Sequence, residues 1–258
     1  MSEVVLDRQG SIATVTLNRP EAKNAMNDAL LDRLVETLES LDHDQSVRVI
    51  VLRGAGGAFC VGGDLTVDHS GTTAAVAESR LRGHVRAAEI LREGHAVSIA
   101  AVRGPAAGAG FSLAAACDLR ILTDSAVLRA SFLTAGMSGD FGLSWSLTRL
   151  LGSARAHEIL LLNEKITAEY ARQIGLATAV VPVDELDARV TAIATSLAAG
   201  PPLATAGIKA NLTDAENLSF TECLRRECTR HVATGLSEDA AEAGRAFLER
   251  RTPHFAGR

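Results

Sequence analysis

An α/β fold with parallel strands joined through crossovers is what this 258-residue sequence predicts, on three observations. Strand-length apolar runs alternate with amphipathic helical patterns through the first half. A strand, a glycine-rich loop and a helix follow one another twice in succession, which favours parallel pairing. From Ser144 onward the pattern is mostly helical.

Val4 to Leu6, the Gln9-Gly10 turn and the alternating run Ile12 to Leu17 read as a hairpin, with Ala13, Val15 and Leu17 on one side. Leu30, Leu31, Leu34, Val35, Leu38 and Leu41 form a 3.6-residue stripe fronted by Asn27 and Asp28 as capping candidates, so a helix follows. Val47 to Leu52 is a strand, and Gly54 to Asp64 is the first glycine-rich loop. A polar stretch from Asp68 to Thr73 leads into one helix from Val76 to Arg92, then a buried strand from Val97 to Val102. The second glycine loop, Arg103 to Gly110, opens into a small, apolar helix through Cys117, and Leu119 to Leu122 is again a strand. Helical patterns then cover Trp145 to Leu150, Ser153 to Leu162, Ala168 to Ile174, Asp184 to Ala198 and two or three stretches to Arg251, interrupted only by a short strand at Ala179 to Val183. The Ala199-Gly200-Pro201-Pro202 break divides a strand-containing body, 1–199, from a helical part, 200–258.

With 47% hydrophobic and 22% charged residues the chain is globular, and disordered or low-complexity classes are excluded. The net charge of −5 and the absence of a basic stripe argue against nucleic acid or an anionic membrane as partner, leaving a small molecule. No targeting segment follows Met1, and no apolar run approaches the roughly 18 residues that span a bilayer, so a cytoplasmic location is expected. Cys60, Cys117, Cys223 and Cys228 make no metal-ligand spacing and are expected as reduced thiols, with no metal site.

A glycine turn between strand and helix aims backbone N–H groups at negative charge. Gly54-Ala55-Gly56-Gly57-Ala58-Phe59 ends in Phe where a dinucleotide fingerprint needs a small residue, and no phosphate-cradling GxxxxGK[ST] motif is present. Neither loop carries its own nucleophile, so their most useful product is a pair of N–H donors aimed at one oxyanion, as on a thioester or enolate.

The segments Asn18 to Met26, Gly57 to Leu65, Gly104 to Gly110, Ala115 to Leu119, Leu151 to Ala156, Ala171 to Leu176 and Glu242 to Arg251 resemble, in order and spacing, the enoyl-CoA hydratase/isomerase (crotonase) family. The resemblance implies a spiral of ββα units, followed by a helical C-terminal region that packs into homotrimers, commonly paired into hexamers. It also implies an acyl-CoA substrate, with coenzyme A entering as part of that substrate and no separate cofactor. By motif position the two N–H donors are Gly63 and Ala109. Lys23 falls where the family often places a cation near the CoA phosphates; Ala25, Ala58 and Gly62 match the channel wall, and Gly108 and Phe132 join them as substrate-binding positions.

The family's hydratases supply two glutamates, and here those positions hold Ser112 and Phe132. Asp140, eight residues past Phe132, resembles the carboxylate of certain isomerases and of a dehalogenase branch. In an apolar pocket lined by Phe132, Phe141 and Trp145 its pKa would rise toward proton shuttling; the alternative is a helix N-cap. Ser112 reads as a core helical serine, His84 and His95 as surface or satisfied residues, and Asp64 as a pin for the first loop. Glu78, Arg82 and Arg86 share one helical side, a solvated face or the border of an acyl pocket. The expectation is therefore an Asp140-dependent isomerase acting through an enolate. Hydratase or hydrolase chemistry in the same pocket, or a CoA-binding protein without turnover, are the alternatives.

Overall fold

The computed structural model describes residues 2–67 and 70–258, so Asp68 and His69 of the polar stretch lie outside the described residues. The hairpin β1 (Val4–Gln9) and β2 (Ile12–Leu17) comes first, then α1 (Asp28–His43) and β3 (Val49–Gly54). Next are α2 (Ala74–His84), α3 (Arg86–Glu93), β4 (Val97–Val102), β5 (Pro105–Ala107), α4 (Ala109–Ala116), β6 (Leu119–Thr123) and β7 (Val127–Arg129). The helical half holds α5 (Leu143–Leu151), α6 (Ser153–Leu162), β8 (Ile166–Thr167), α7 (Ala168–Gln173), β9 (Ala179–Val181), α8 (Leu186–Ala198), α9 (Pro202–Asn217), α10 (Phe220–Gly235) and α11 (Glu238–Glu249).

Six strands form one sheet in the order β1-β2-β3-β4-β6-β9, parallel throughout except for the opening hairpin. Both faces of its central strands are covered, which is why β3 and β4 read as unbroken apolar runs. Ile50, Leu52, Ala100, Val102 and Leu122 enter the main core with α1, α3 and α4, while Val49, Val51, Ile99, Ala101 and Ile121 pack against Leu186, Val190 and Ala194 of α8. In α1 the Asn27 side chain accepts the Leu30 N–H at 2.9 Å, satisfying one of the four orphan donors of a helix start, and the leucine stripe is buried.

Several expectations are corrected. The single helix over Val76 to Arg92 is two, α2 and α3, broken at Val85 beside Gly83. α3 buries Ala87, Ala88, Ile90 and Leu91, whereas α2 buries only His84, so one rigid helix serves two different environments poorly. A second sheet, β5-β7-β8, was not legible, because strands of two or three residues are too short to display a period; β8 also adds a second strand to the half after Ser144. The third strand of the main sheet runs to Gly54 rather than Leu52, since its register with β2 continues to the Leu17–Gly54 pair.

Between α8 and α9 the chain passes through residues 199–201, and α9 is held to the sheet by a buried lysine. Lys209 Nζ donates to the Leu91 and Ala96 carbonyls at 3.0 and 2.8 Å and lies 2.8 Å from Asp118 Oδ2. Lys209→Met leaves two carbonyls and one half-buried carboxylate without this cation. Breaking such a pair costs several kcal/mol when fully buried; with Asp118 partly solvated we expect a loss of about 2–3 kcal/mol. Urea titration would read it as a lower midpoint at unchanged slope, and an unchanged midpoint would refute the assignment.

Candidate active site

Three loops converge at the carboxyl ends of β3, β5 and β7. Asn24, fully buried in a left-handed conformation (φ 57°), fastens the first of them: its Nδ2 donates to the Ala55 and Ala58 carbonyls at 2.9 Å, and its Oδ1 accepts the Arg19 N–H at 2.9 Å. Arg19 Nη1 reaches the Ala25 carbonyl at 2.6 Å and Asp64 Oδ2 at 2.9 Å. Asp64 does pin the loop, and hydrogen bonds from Thr66 and then Arg19 hold its carboxyl down at about 2. The Met26 N–H donates to Gly62 O and the Met26 carbonyl accepts the Asp64 N–H, so the intervening Gly63 amide is not part of this bridge.

The first and second loops are zipped backbone to backbone: the Phe59 N–H donates to Pro105 O at 3.1 Å, and the Ala107 N–H to Cys60 O at 2.9 Å. Gly62, at φ 95°, leaves room for this approach; a β-carbon there would stand 3.0 Å from the Ala107 carbonyl and 3.5 Å from the Ala109 nitrogen. Gly110 is tighter still, because a β-carbon would lie 2.3 Å from the Cys60 carbonyl. Ala109 is the first residue of α4, where helix geometry leaves the N–H orphaned. Neither the Gly63 nor the Ala109 amide has an acceptor among the described residues.

Both amides line one cavity of about 200 Å³ with Gly62, Gly108, Phe132 and Asp140. Ser131, at φ 61°, carries the third loop into it, held by its N–H to Asn163 Oδ1 at 2.7 Å. Asn163 also donates from Nδ2 to Thr134 Oγ1 at 2.8 Å; nothing in the sequence singled out this residue, 32 positions from Ser131. The Gly136 to Gly142 turn then folds over Phe132, close enough that a β-carbon at Gly139 would touch the ring at 3.6 Å.

Asp140 Oδ1 is buried without a hydrogen-bond partner, and burial alone pushes the carboxyl up to about 6 from an ordinary 3.8. Its side chain is no cap: α5 starts after Gly142, with no side-chain cap bond. Of the three aromatics expected around it, only Phe132 lines the cavity. Phe141 and Trp145 line a separate one, where the Arg92 guanidinium sits 4.3 Å from the Trp145 ring centre. Phe141, the residue after Asp140, is itself in the left-handed region at φ 47°.

Lys23, Ala25 and Ala58 do not line the cavity. Lys23 is exposed, and the two alanines are buried in the Arg19 and Asn24 network beside it. Ser112 is a core serine whose hydroxyl donates to Gly108 O at 3.2 Å. His84 bonds Asp32 at 2.9 Å and His95 bonds the Val47 carbonyl at 2.9 Å, both away from the cavity. Glu78 and Arg82 pair on an exposed face, and Arg86 lies on the next helix. The four cysteines are free, and burial pushes the Cys60 and Cys117 thiols up to about 12.

The family model described as enoyl-CoA hydratase/isomerase matches residues 7–258. A protein of Escherichia coli (strain K12) named 2,3-dehydroadipyl-CoA hydratase is 34% identical over 259 residues, with both chains covered completely. Another from that strain, named 1,2-epoxyphenylacetyl-CoA isomerase, is also 34% identical, over 262 residues and all of both chains. Among solved structures, an enoyl-CoA hydratase from Bacillus anthracis superposes with a TM-score of 0.94 at 29% identity, covering 99% of this chain and 100% of that one. One from Polaromonas sp. JS666 gives 0.93 at 32% identity, covering 98% and 99%.

Proposed function

The chain belongs to the enoyl-CoA hydratase/isomerase family, and from that premise we propose that it moves a proton on an acyl-CoA thioester through an enolate, as an isomerase dependent on Asp140. The thioester oxygen accepts from the Gly63 and Ala109 amides, and Asp140 is general base and then general acid. In its carboxylate form Asp140 removes a proton from one carbon, and the electron pair moves through the double bond onto the thioester oxygen. The protonated acid then returns the proton at another carbon, restoring the carbonyl with the double bond displaced. Water is neither added nor consumed.

The observation that carries this reading is the unpartnered, buried Oδ1 of Asp140 in the same cavity as two amides without acceptors. A desolvated carboxyl near 6 is matched to proton transfer at neutral pH. Ser112 and Phe132, at the two positions discussed above, cannot exchange a carboxylate proton. The relatives' names include both a hydratase and an isomerase, so the isomerase reading rests on these residues.

Lys23 is proposed to meet the CoA phosphates, with Ala25 and Ala58 behind the CoA channel wall. No cofactor beyond the substrate's own coenzyme A is required, and a cytoplasmic location belongs to the same reading; no helix of the described residues is long and apolar enough to cross a membrane. Exposed Ile208, Leu212, Phe220 and Leu236 on and beside α9 and α10 support homotrimers or hexamers.

The test is incubation with saturated and unsaturated acyl-CoAs in D₂O, reading product masses. Deuterium incorporation with the double bond displaced and no water added is expected. Addition of water would make the protein a hydratase, release of free CoA a hydrolase, and tight binding with neither exchange nor turnover a non-catalytic CoA-binding protein.

A further inference from the structure

Among the described residues the same cavity contains one cation, Arg129, at the end of β7. Its Nε donates to the Asn163 backbone carbonyl at 2.8 Å. Asn163 is itself fixed through Ser131 and Thr134, so the guanidinium is mounted on a built scaffold rather than trailing from the surface. That single bond leaves both terminal nitrogens, the fork that fits a carboxylate with two parallel hydrogen bonds, without an acceptor among the described residues.

Among the described residues Asp140 is the one carboxylate lining the cavity, and it does not use this charge. The two groups form no ion pair within 4.0 Å, and burial is the whole cause of the raised Asp140 pKa, with no cation drawing it down. A half-buried cation therefore lines the same site as a carboxylate with which it forms no ion pair. Val61, Leu65, Phe132, Ala135 and Met137 make the rest of the wall largely apolar, suited to methylene groups.

We propose that Arg129 binds a carboxylate at the far end of the acyl chain, so that the substrate class is an acyl-CoA whose chain ends in a second carboxyl group. This rests on the reading of the cavity as an acyl-thioester site. It adds a specificity contact that neither the amides nor Asp140 can supply, because a chain ending in a methyl group would leave the guanidinium unpaired.

The experiment is calorimetric binding to the full-length protein of saturated pairs of equal length: glutaryl-CoA against pentanoyl-CoA, and adipyl-CoA against hexanoyl-CoA. No turnover is needed, so enolate chemistry and charge recognition are tested apart. Within at least one pair the carboxylated chain is expected to bind about ten- to a hundred-fold more tightly, the range of a hydrogen bond to a charged group. Arg129→Gln is expected to close that gap, and Arg129→Lys, which keeps the charge but loses the Asn163 bond, to keep part of it. Equal affinities within both pairs overturn the proposal. So does an Arg129→Gln protein that weakens both members by one factor, which would place Arg129 on the CoA moiety, or that leaves the gap intact. Failure of every acyl-CoA to bind would instead sink the thioester reading itself.

Discussion

Asp140→Asn is expected to abolish deuterium exchange at the acyl chain while leaving acyl-CoA binding in place. Positioned general acid–base groups contribute about 10²–10⁴ in rate, and among the described residues no other carboxylate lines the cavity to take over. The wild-type exchange rate should rise with pH through about 6, where the carboxyl becomes a base. The stability of the same protein moves the other way. A folded-state pKa above the ordinary 3.8 means that the native protein holds its proton longer than the unfolded chain. The stabilising contribution is therefore full below about pH 4 and is lost as pH rises through about 6. Above that window the native state carries a buried, unpartnered charge, which the asparagine lacks. Asp140→Asn should accordingly melt about 2 °C or more higher than wild type at pH 8, with the difference vanishing near pH 4. A variant that retains exchange would remove Asp140 from the reaction, and one less stable than wild type at pH 8 would refute the burial of its charge.

Gly110→Ala should cost both stability and turnover. The new β-carbon meets backbone on its closest side, 2.3 Å from the Cys60 carbonyl oxygen and 2.8 Å from its carbon, so no side-chain rotation relieves it. The two glycine loops must part, and overpacking of this kind costs about 1–3 kcal/mol. Parting also spreads the Gly63 and Ala109 amides, and loss of one oxyanion donor lowers kcat by about 10²–10³. Gly57→Ala is the matched control: its β-carbon meets open space in the first glycine loop, and a change within about 0.5 kcal/mol is expected. Equal melting temperatures and equal kcat for the two variants would show that the loop contact does not set the donor geometry.

The periodic parts of the chain were legible. The α1 leucine stripe with its Asn27 cap, the alternation of β2 and the doubly buried runs of β3 and β4 all follow from local spacing and stand in the structure. The division of Val76 to Arg92 into two helices was not, because an exposed α2 and a core-facing α3 differ in their neighbours rather than in their period. Trp145 and Phe141 show the same limit: being aromatic and near Asp140 in sequence did not place them in its cavity. Asn163 and Arg129 carried no motif, and they matter through one hydrogen bond across 34 positions and through the Asn163 contacts to Ser131 and Thr134.

By itself the sequence determined the α/β fold, the two glycine loops and the family to which they belong, since hydrophobic period and backbone freedom are properties of adjacent residues. Only the tertiary structure decided that the Gly63 and Ala109 amides share a cavity with Asp140, that this carboxyl lacks a partner and that one arginine beside it has charge to spare. Desolvation and unsatisfied hydrogen bonds depend on every atom within a few ångströms, and in this site those atoms come from segments far apart in the chain.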